Sequence, residues 1–196
     1  MNPLSLEAFI TRFILQQPER SSLPPAGRQA AVLVPVVARE TPGLLLTRRS
    51  RELRKHAGQV AFPGGMQDAS DASLVATALR EAHEEVGIAP DEVKVIGQLA
   101  PVTSSTGFRV TPVVGIISPD IKLQINPDEV ESAFEMPLEE ALRLNRYASL
   151  EIHRAGQRHP VWLSIYQEYL VWGMTAGIIR SLSQQIAYQR PFFYES

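Results

Sequence analysis

The stretch Arg80-Glu81-Ala82-His83-Glu84-Glu85-Val86-Gly87-Ile88 decides the fold and lies in a segment of helical hydrophobic period, from about Ala72 to Val86. On a helix that turns about 100° per residue, Glu81, Glu84 and Glu85 fall within an arc of roughly 100°. One side of this helix is therefore expected to pack against the protein, while a second side holds three carboxylates. The packing side, centred about 140° away from the carboxylates, carries Val75, Leu79, Ala82 and Val86.

The three carboxylates repel one another at this spacing. Like charges three and four residues apart destabilise a helix by roughly 0.2–0.5 kcal/mol per pair. They also lie near the C-terminus of the predicted helix, where the macrodipole disfavours anions. A divalent cation would offset both effects, and carboxylate oxygens suit Mg²⁺ or Mn²⁺ better than zinc. A solvated acidic face is the alternative, so the surrounding sequence has to decide between the two.

The residues before the helix favour a site. Gly64 and Gly65 follow a predicted strand and open a loop that leads to Asp71, the expected N-cap of the helix. A glycine-rich turn before a helix presents backbone N–H groups to a phosphate. A phosphate cradle beside a metal cluster predicts cleavage of a pyrophosphate, because a bound cation lowers the pKa of an attacking water.

The remaining segments predict one domain with a mixed sheet covered by helices. Three further helices are expected besides the acidic one, joined to the strands by Pro- and Gly-rich turns. The residues 1–28 are expected to supply an N-terminal helix and a connector, both part of the domain that continues over residues 29–196. The predicted helices are Ser5–Gln16, Ala72–Val86, Pro137–Leu144 and Val171–Ile186; the predicted strands are Ala30–Val37, Leu44–Thr47, Gln59–Phe62, Val93–Leu99, Val110–Ile117, Val130–Met136 and Val161–Tyr166.

The composition of the chain excludes some kinds of active-site chemistry and disfavours some classes of partner. The chain of 196 residues contains no cysteine, which excludes disulfides, thiolate metal sites and cysteine nucleophiles. Its formal net charge of −2 gives no reason to expect a nucleic-acid or membrane partner. The apolar runs are too short to cross a bilayer and the N-terminus lacks the pattern of a signal peptide, so a cytoplasmic location is predicted.

The acidic helix resembles a known motif. The residues Arg80 to Ile88 match every fixed position in the second half of the Nudix box, whose general form is G-x5-E-x7-R-E-U-x-E-E-x-G-U. The first half departs from it, because one extra residue lies between Gly65 and Arg80 and because Asp71 stands where the general pattern has Glu. The chain is therefore identified as similar to the Nudix hydrolases, with an altered loop–helix junction.

A second stretch of the sequence indicates which branch of the Nudix hydrolases the chain resembles. Leu45-Leu46-Thr47-Arg48-Arg49-Ser50, Leu53-Arg54, His56 and Gly58-Gln59-Val60, running into Phe62-Pro63-Gly64-Gly65, are similar to the signature of the coenzyme A pyrophosphatase branch. The resemblance implies an α/β/α sandwich with a mixed β-sheet. It also implies hydrolysis of coenzyme A, or of its thioesters, to 4′-phosphopantetheine and adenosine 3′,5′-bisphosphate.

The resemblance also assigns roles to residues. It implies that Glu81 and Glu85 are the principal ligands of Mg²⁺ or Mn²⁺, that Glu84 is a third, and that Arg80 pairs with a carboxylate one turn on. Nudix enzymes draw a base or a further ligand from the region of Glu129, for which surface solvation is an equal alternative. The catalytic prediction is thus Arg80, Glu81, Glu84, Glu85 and Glu129.

A basic segment, Arg48 to His56, lies beside the glycines in a slightly acidic chain. Coenzyme A is anionic at its pyrophosphate and its 3′-phosphate, and Arg suits phosphate through its planar donor fork. Not all of these cations can point inward, and a solvated face is the common fate of such runs. The predicted substrate contacts are Arg49, Arg54, His56, Gly64 and Gly65.

Three other functions compete with coenzyme A hydrolysis. Another nucleoside-diphosphate compound, such as ADP-ribose or a dinucleotide, would need the same cluster and yield different products. A non-enzymatic nucleotide sensor has no need of a complete metal cluster. RNA binding is disfavoured by the net charge and by the lack of an extended basic face. A homodimer is compatible with the sequence, which does not determine the oligomeric state.

Overall fold

The computed structural model describes residues 4–16, 27–154 and 156–188, so most of the predicted connector lies outside the described residues. The helices are α1 (Leu6–Leu15), α2 (Leu74–Val86), α3 (Leu138–Ala141) and α4 (Gly173–Gln185). The strands are β1 (Gln29–Val37), β2 (Gly43–Arg49), β3 (Val60–Ala61), β4 (Gly64–Met66), β5 (Val93–Gln98), β6 (Val102–Thr103), β7 (Arg109–Ile117), β8 (Val130–Pro137), β9 (Ala148–Arg154), β10 (Gln157–Tyr166) and β11 (Tyr169–Trp172).

The larger sheet is mixed. Its central path runs β3-β2-β1-β7-β5, with β1 parallel to β7 over the full length of both strands and the other neighbours antiparallel. Strand β4 pairs with β1, β6 with β7, and β8 with β2. Both β1 and β7 are buried at every position after their first residue, so both faces of the sheet centre are covered, as is typical of parallel strands.

Helices cover both faces of this sheet. On one face α2 packs Ala78, Ala82 and Val86 against a buried cluster that includes Leu33 and Val113. On the other face the buried cluster includes Phe9 and Phe13 of α1 and Ile178, Ile179 and Leu182 of α4, next to Val34 and Leu46 of the sheet. The predicted α/β/α sandwich with a mixed sheet is confirmed.

A second, smaller antiparallel sheet has the order β11-β10-β9. The sequence predicted only part of β10, and it predicted that the last helix starts at Val171. That boundary was wrong, because Val171 and Trp172 belong to β11 and the helix starts at Gly173. Gly173 has a φ of 62°, a left-handed conformation that turns the chain sharply from strand to helix. The predicted β1–β2 hairpin is confirmed by the pairs Val36↔Leu44 and Val37↔Gly43.

Within the described ranges, no helix has both the length and the apolar character needed to cross a bilayer. A cytoplasmic location and the domain boundary at residue 28 stay predictions.

Candidate active site

The start of α2 differs from the prediction. Ser73, and not Asp71, is the N-cap, and its side chain accepts a hydrogen bond of 3.1 Å from the backbone N–H of Ala76. The helix ends at Gly87, whose φ of 76° is the left-handed conformation of a C-cap. The cap prediction failed because Asp71 lies two residues too early and its carboxylate is occupied by other donors.

Asp71 binds Arg80 through two parallel hydrogen bonds. Nε and Nη2 of Arg80 donate to the two carboxylate oxygens of Asp71, each at 2.9 Å. The same carboxylate accepts from the hydroxyl of Thr77 and from the backbone N–H of Asp68, both at 2.9 Å, and its side chain is only 5% exposed. The paired guanidinium holds the pKa of Asp71 well below its usual range. The pair joins the loop before α2 to the middle of that helix.

Arg80 also reaches the acidic side of α2. Its Nη1 donates to Glu81 at 2.9 Å and contacts Glu84 at 3.4 Å, and its Nη2 donates to the carbonyl of Met66 at 3.1 Å. The predicted pair one turn on, with Glu84, is therefore present but is longer than the pairs with Asp71 and Glu81. The guanidinium holds the Glu81 carboxylate in one orientation.

Three carboxylates from two elements form what we call the acidic group: Glu81 and Glu85 of α2, and Glu129 just before β8. One oxygen of each lies within 4.8 Å of the others. Glu85 is buried, Glu81 and Glu129 are partly buried, and Glu84 lies outside the group with half of its side chain exposed. The metal roles predicted for Glu81, Glu84 and Glu85 and the catalytic role predicted for Glu129 stay predictions.

Burial and mutual repulsion perturb the acidic group. Burial, together with the charges of Glu129 and Glu81, raises the pKa of Glu85 to about 8 against the lowering effect of Arg49. Burial also raises the pKa of Glu81, against the hydrogen bond and charge of Arg80. A bound cation would relieve the repulsion between these carboxylates, so the set of oxygen donors fits a hard divalent ion.

The two glycines do not form the loop that the sequence predicted. They lie in β4, where Gly65 pairs with Ala31 and Gly64 with Val32. A Cβ on Gly65 would lie 2.5 Å from the carboxyl carbon of Glu81, and the Gly64 backbone N–H donates to Glu85. Gly65 therefore allows the close approach of β4 to Glu81 of the acidic helix, whereas a Cβ on Gly64 would meet Ala31 and Val32 of β1. Their predicted contact with substrate phosphate stays a prediction.

Comparison with known proteins identifies the family. The NUDIX domain family matches residues 27–155, which include the whole acidic group. The chain belongs to the Nudix family. It is 64% identical over 185 residues to the Nudix hydrolase NudL of Cronobacter sakazakii, a match that covers 94% of this chain and 96% of the relative. It is 60% identical to NudL of Shigella flexneri serotype 5b, over 93% of this chain and 95% of the relative.

A solved structure supports the same Nudix fold. The MutT/nudix family protein from Enterococcus faecalis aligns with a TM-score of 0.52 and 18% identity, covering 94% of this chain and 70% of that chain. At this identity the likeness concerns the fold alone. Family membership makes the protein a Nudix hydrolase of the pyrophosphohydrolase class, whose members generally use divalent metal ions.

The residues of the basic segment of this Nudix hydrolase lie in three different environments. Arg49 points toward the acidic group, where its charge lowers the pKa of Glu85, and its buried Nε has no hydrogen-bond partner among the described residues. Arg48 instead lies over the ring of Tyr169, at 4.7 Å, on the opposite side of the sheet. Arg54 and His56 are exposed in the loop after β2. Arg49 alone of the three predicted basic contacts adjoins the acidic group.

Sequence reasoning missed the part played by Asn126. Its backbone N–H donates to the carbonyl of Glu85 at 2.9 Å, and its side-chain amide contacts Glu129 at 3.5 Å. Asn126 thus holds the turn before β8 against the end of α2 and brings Glu129 to the acidic group. The Asn-Pro-Asp sequence at 126–128 is typical of a turn and was the available signal.

Proposed function

We propose that this Nudix hydrolase cleaves the pyrophosphate bond of coenzyme A, or of its thioesters, into 4′-phosphopantetheine and adenosine 3′,5′-bisphosphate. The observation that carries the proposal is the position of Arg49, whose buried Nε lacks a hydrogen-bond partner among the described residues, beside a carboxylate group that fits a divalent metal. A buried donor without a partner costs about 1–3 kcal/mol, so an anionic ligand that accepts from it is favoured. A diphosphate bridged by a metal supplies such an acceptor.

Each member of the site has a role in the proposed reaction. Glu81 and Glu85, with Glu129 as a further candidate, would hold Mg²⁺ or Mn²⁺; when bound, the ion neutralises diphosphate charge and lowers the pKa of the attacking water. Arg80 keeps Glu81 oriented through its 2.9 Å hydrogen bond. Arg49 neutralises charge on non-bridging oxygens, and a carboxylate that is not occupied by metal accepts the proton of the water.

The choice of coenzyme A rests on the segment 45–65, which resembles the signature of that branch and whose loop could bind a second phosphate. The loop after β2 begins beside the acidic group, because the Ser50 N–H donates to the carbonyl of Glu129 at 2.9 Å. Arg54 in this loop makes no ion pair with any described residue, whereas Arg51 pairs with Glu131 at 3.5 Å. An exposed cation in a loop that begins beside the acidic group is suited to the 3′-phosphate of coenzyme A.

Product analysis tests the proposal directly. The purified protein with Mg²⁺ or Mn²⁺ is incubated with coenzyme A, ADP-ribose and a dinucleoside polyphosphate, and the products are identified by mass spectrometry. We expect phosphopantetheine from coenzyme A at the highest kcat/KM of the panel, loss of turnover in EDTA, and recovery when excess Mg²⁺ or Mn²⁺ is added. Faster cleavage of ADP-ribose or of the dinucleotide would replace the proposed substrate, and turnover that persists in EDTA would exclude the metal.

The 3′-phosphate contact has its own test, in which coenzyme A is compared with the analogue that lacks this phosphate. Arg54→Ala is expected to lower kcat/KM for coenzyme A by about 10-fold, the value of one charge-assisted hydrogen bond, and to leave the analogue unaffected. Arg51→Ala is the matched control, since its side chain is exposed and already paired with Glu131. An equal loss with both substrates in Arg54→Ala would contradict a contact with the 3′-phosphate.

A further inference from the structure

The small sheet exposes an apolar face. Successive side chains of an antiparallel strand point to opposite sides, and paired residues share a side. The register Leu150↔Val161, Leu163↔Trp172 and Ile165↔Leu170 therefore puts these six side chains, with Ile152, on one side. We call the apolar part of this side the outer face and define it as Leu150, Ile152, Val161, Leu163, Ile165, Leu170 and Trp172; the exposed His159, which pairs with Ile152, borders it on the same side.

The other side of the same sheet already packs against the protein. Ser164 and Val171 are buried there, and the ring of Tyr169 stacks on Phe134 of the large sheet with centroids 3.6 Å apart. A sheet with one packed face normally presents polar side chains on the other. Here the outer face is apolar instead, with Ile165 66% and Leu150 54% exposed.

We propose that the outer face is a homodimer interface, on which a second copy of this chain packs face to face about a two-fold axis near the middle of β10. Two twisted antiparallel sheets stack in this way at about 10 Å, with their side chains interdigitated. A two-fold contact uses the same surface on both copies, so the outer face would have to complement itself. Its area and its charge both allow this.

The area is sufficient for the centre of a stable dimer. The five most exposed side chains of the outer face offer on the order of 400–500 Å² per copy, taking roughly 200 Å² for each fully exposed large side chain. A standard interface buries about 800 Å² per partner and surrounds an apolar centre with a polar rim. The outer face supplies an apolar centre of this kind.

The charges favour a second copy over a charged partner. The seven residues of the outer face are uncharged, so stacking them on their copies buries no charge of their own. Arg158, at one end of β10, lies on the other side of the sheet and pairs with Glu151 at 3.6 Å, so it adds no charge to the outer face.

Sedimentation equilibrium over a range of concentrations tests the interface. We expect twice the mass of the chain for the unmodified protein, and at least about 10-fold weaker association for Ile165→Asp and for Leu150→Asp, because either buries a charge. Leu15→Asp is the matched control, since Leu15 is 71% exposed but lies on α1, and it should leave the dimer intact. A monomer at all concentrations, or a dimer that neither outer-face variant weakens, would overturn the proposal.

The absence of cysteine allows a second test that does not depend on destabilisation. In Val161→Cys the introduced thiols lie near the proposed axis, so mild oxidation should yield a disulfide-linked dimer; Ser149→Cys, on the other side of the sheet, should not. Equal cross-linking of both variants would contradict the arrangement. Vesicles of phosphatidylcholine and phosphatidylglycerol provide the remaining arm, because co-sedimentation of a monomeric protein with them would assign the outer face to a lipid surface instead.

Discussion

Glu85→Gln is expected to lower kcat by at least about 10²–10³-fold while the fold stays intact. The amide has the shape of the carboxyl group, and its oxygen can still accept the backbone N–H of Gly64. What it lacks is the negative charge that a divalent ion requires at the buried position of the acidic group. Steady-state kinetics at saturating Mg²⁺ measures the loss of kcat, and isothermal calorimetry measures the loss of Mn²⁺ binding. A variant with near-normal turnover would contradict the proposed mechanism.

The stability of the same variant provides its control. The pKa of Glu85 is raised to about 8 in the folded, metal-free protein. At pH values between the ordinary pKa of a glutamate and this raised pKa, the folded protein keeps a proton on Glu85 that the unfolded chain has released. The folded state thus binds more protons across this window, and the free energy of unfolding falls as pH rises toward 8. Glu85→Gln removes that dependence, so its thermal midpoint in EDTA should exceed that of the unmodified protein, increasingly from about pH 5 to about pH 8, above which the difference levels off. A difference that does not change with pH would contradict the buried, repelled state of Glu85.

A variant of Glu84 tests whether a carboxylate next to the acidic group is as important for catalysis as one within it. Glu84 was predicted as a third ligand, yet its carboxylate lies outside the acidic group and contacts Arg80 at 3.4 Å. Glu84→Gln in the same assays is therefore the matched comparison for Glu85→Gln, and we expect the smaller loss. Losses of equal size would support the prediction that Glu84 is a third ligand.

The acidic helix was predictable because its information is local. The spacing of Glu81 and Glu85 and the apolar arc of Ala82 and Val86 depend only on helical geometry. Glu129 could be named only as a candidate, because it reaches the acidic group through a turn that Asn126 ties to the end of α2. The periodicity of a sequence does not reveal contacts between residues that lie more than forty positions apart.

The errors share a physical cause, which is competition for one residue by two structural roles. Gly64 and Gly65 have the composition of a phosphate loop, but pairing with β1 and the closeness of Glu81 determine their conformation. Val171 and Trp172 have the apolar character of a helix start, but pairing with β10 makes them a strand. In both cases tertiary pairing overrode the local pattern.

Asp71→Asn is expected to lower kcat by about 10–100-fold with a lowered thermal midpoint, although Asp71 is not a member of the acidic group. The variant replaces one acceptor of the Arg80 guanidinium with an N–H₂ group that repels it, and the fixed orientation of Arg80 is lost. Glu81 then loses the alignment of its 2.9 Å hydrogen bond from Arg80. Because orientation rather than substrate contact changes, kcat should fall more than KM rises, as steady-state kinetics will measure.

Ser73→Ala separates this positioning role from general destabilisation of α2. It removes the N-cap hydrogen bond to Ala76 and should cost about 1 kcal/mol of stability, but it leaves the pair between Asp71 and Arg80 in place. Its kcat is therefore expected to stay near that of the unmodified protein at temperatures where both are folded. Asp71→Glu restores the charge on a longer side chain and should recover part of the lost activity. If Ser73→Ala and Asp71→Asn lowered kcat alike, the loss would follow from helix stability, and Asp71 would have no separate part in orienting Glu81.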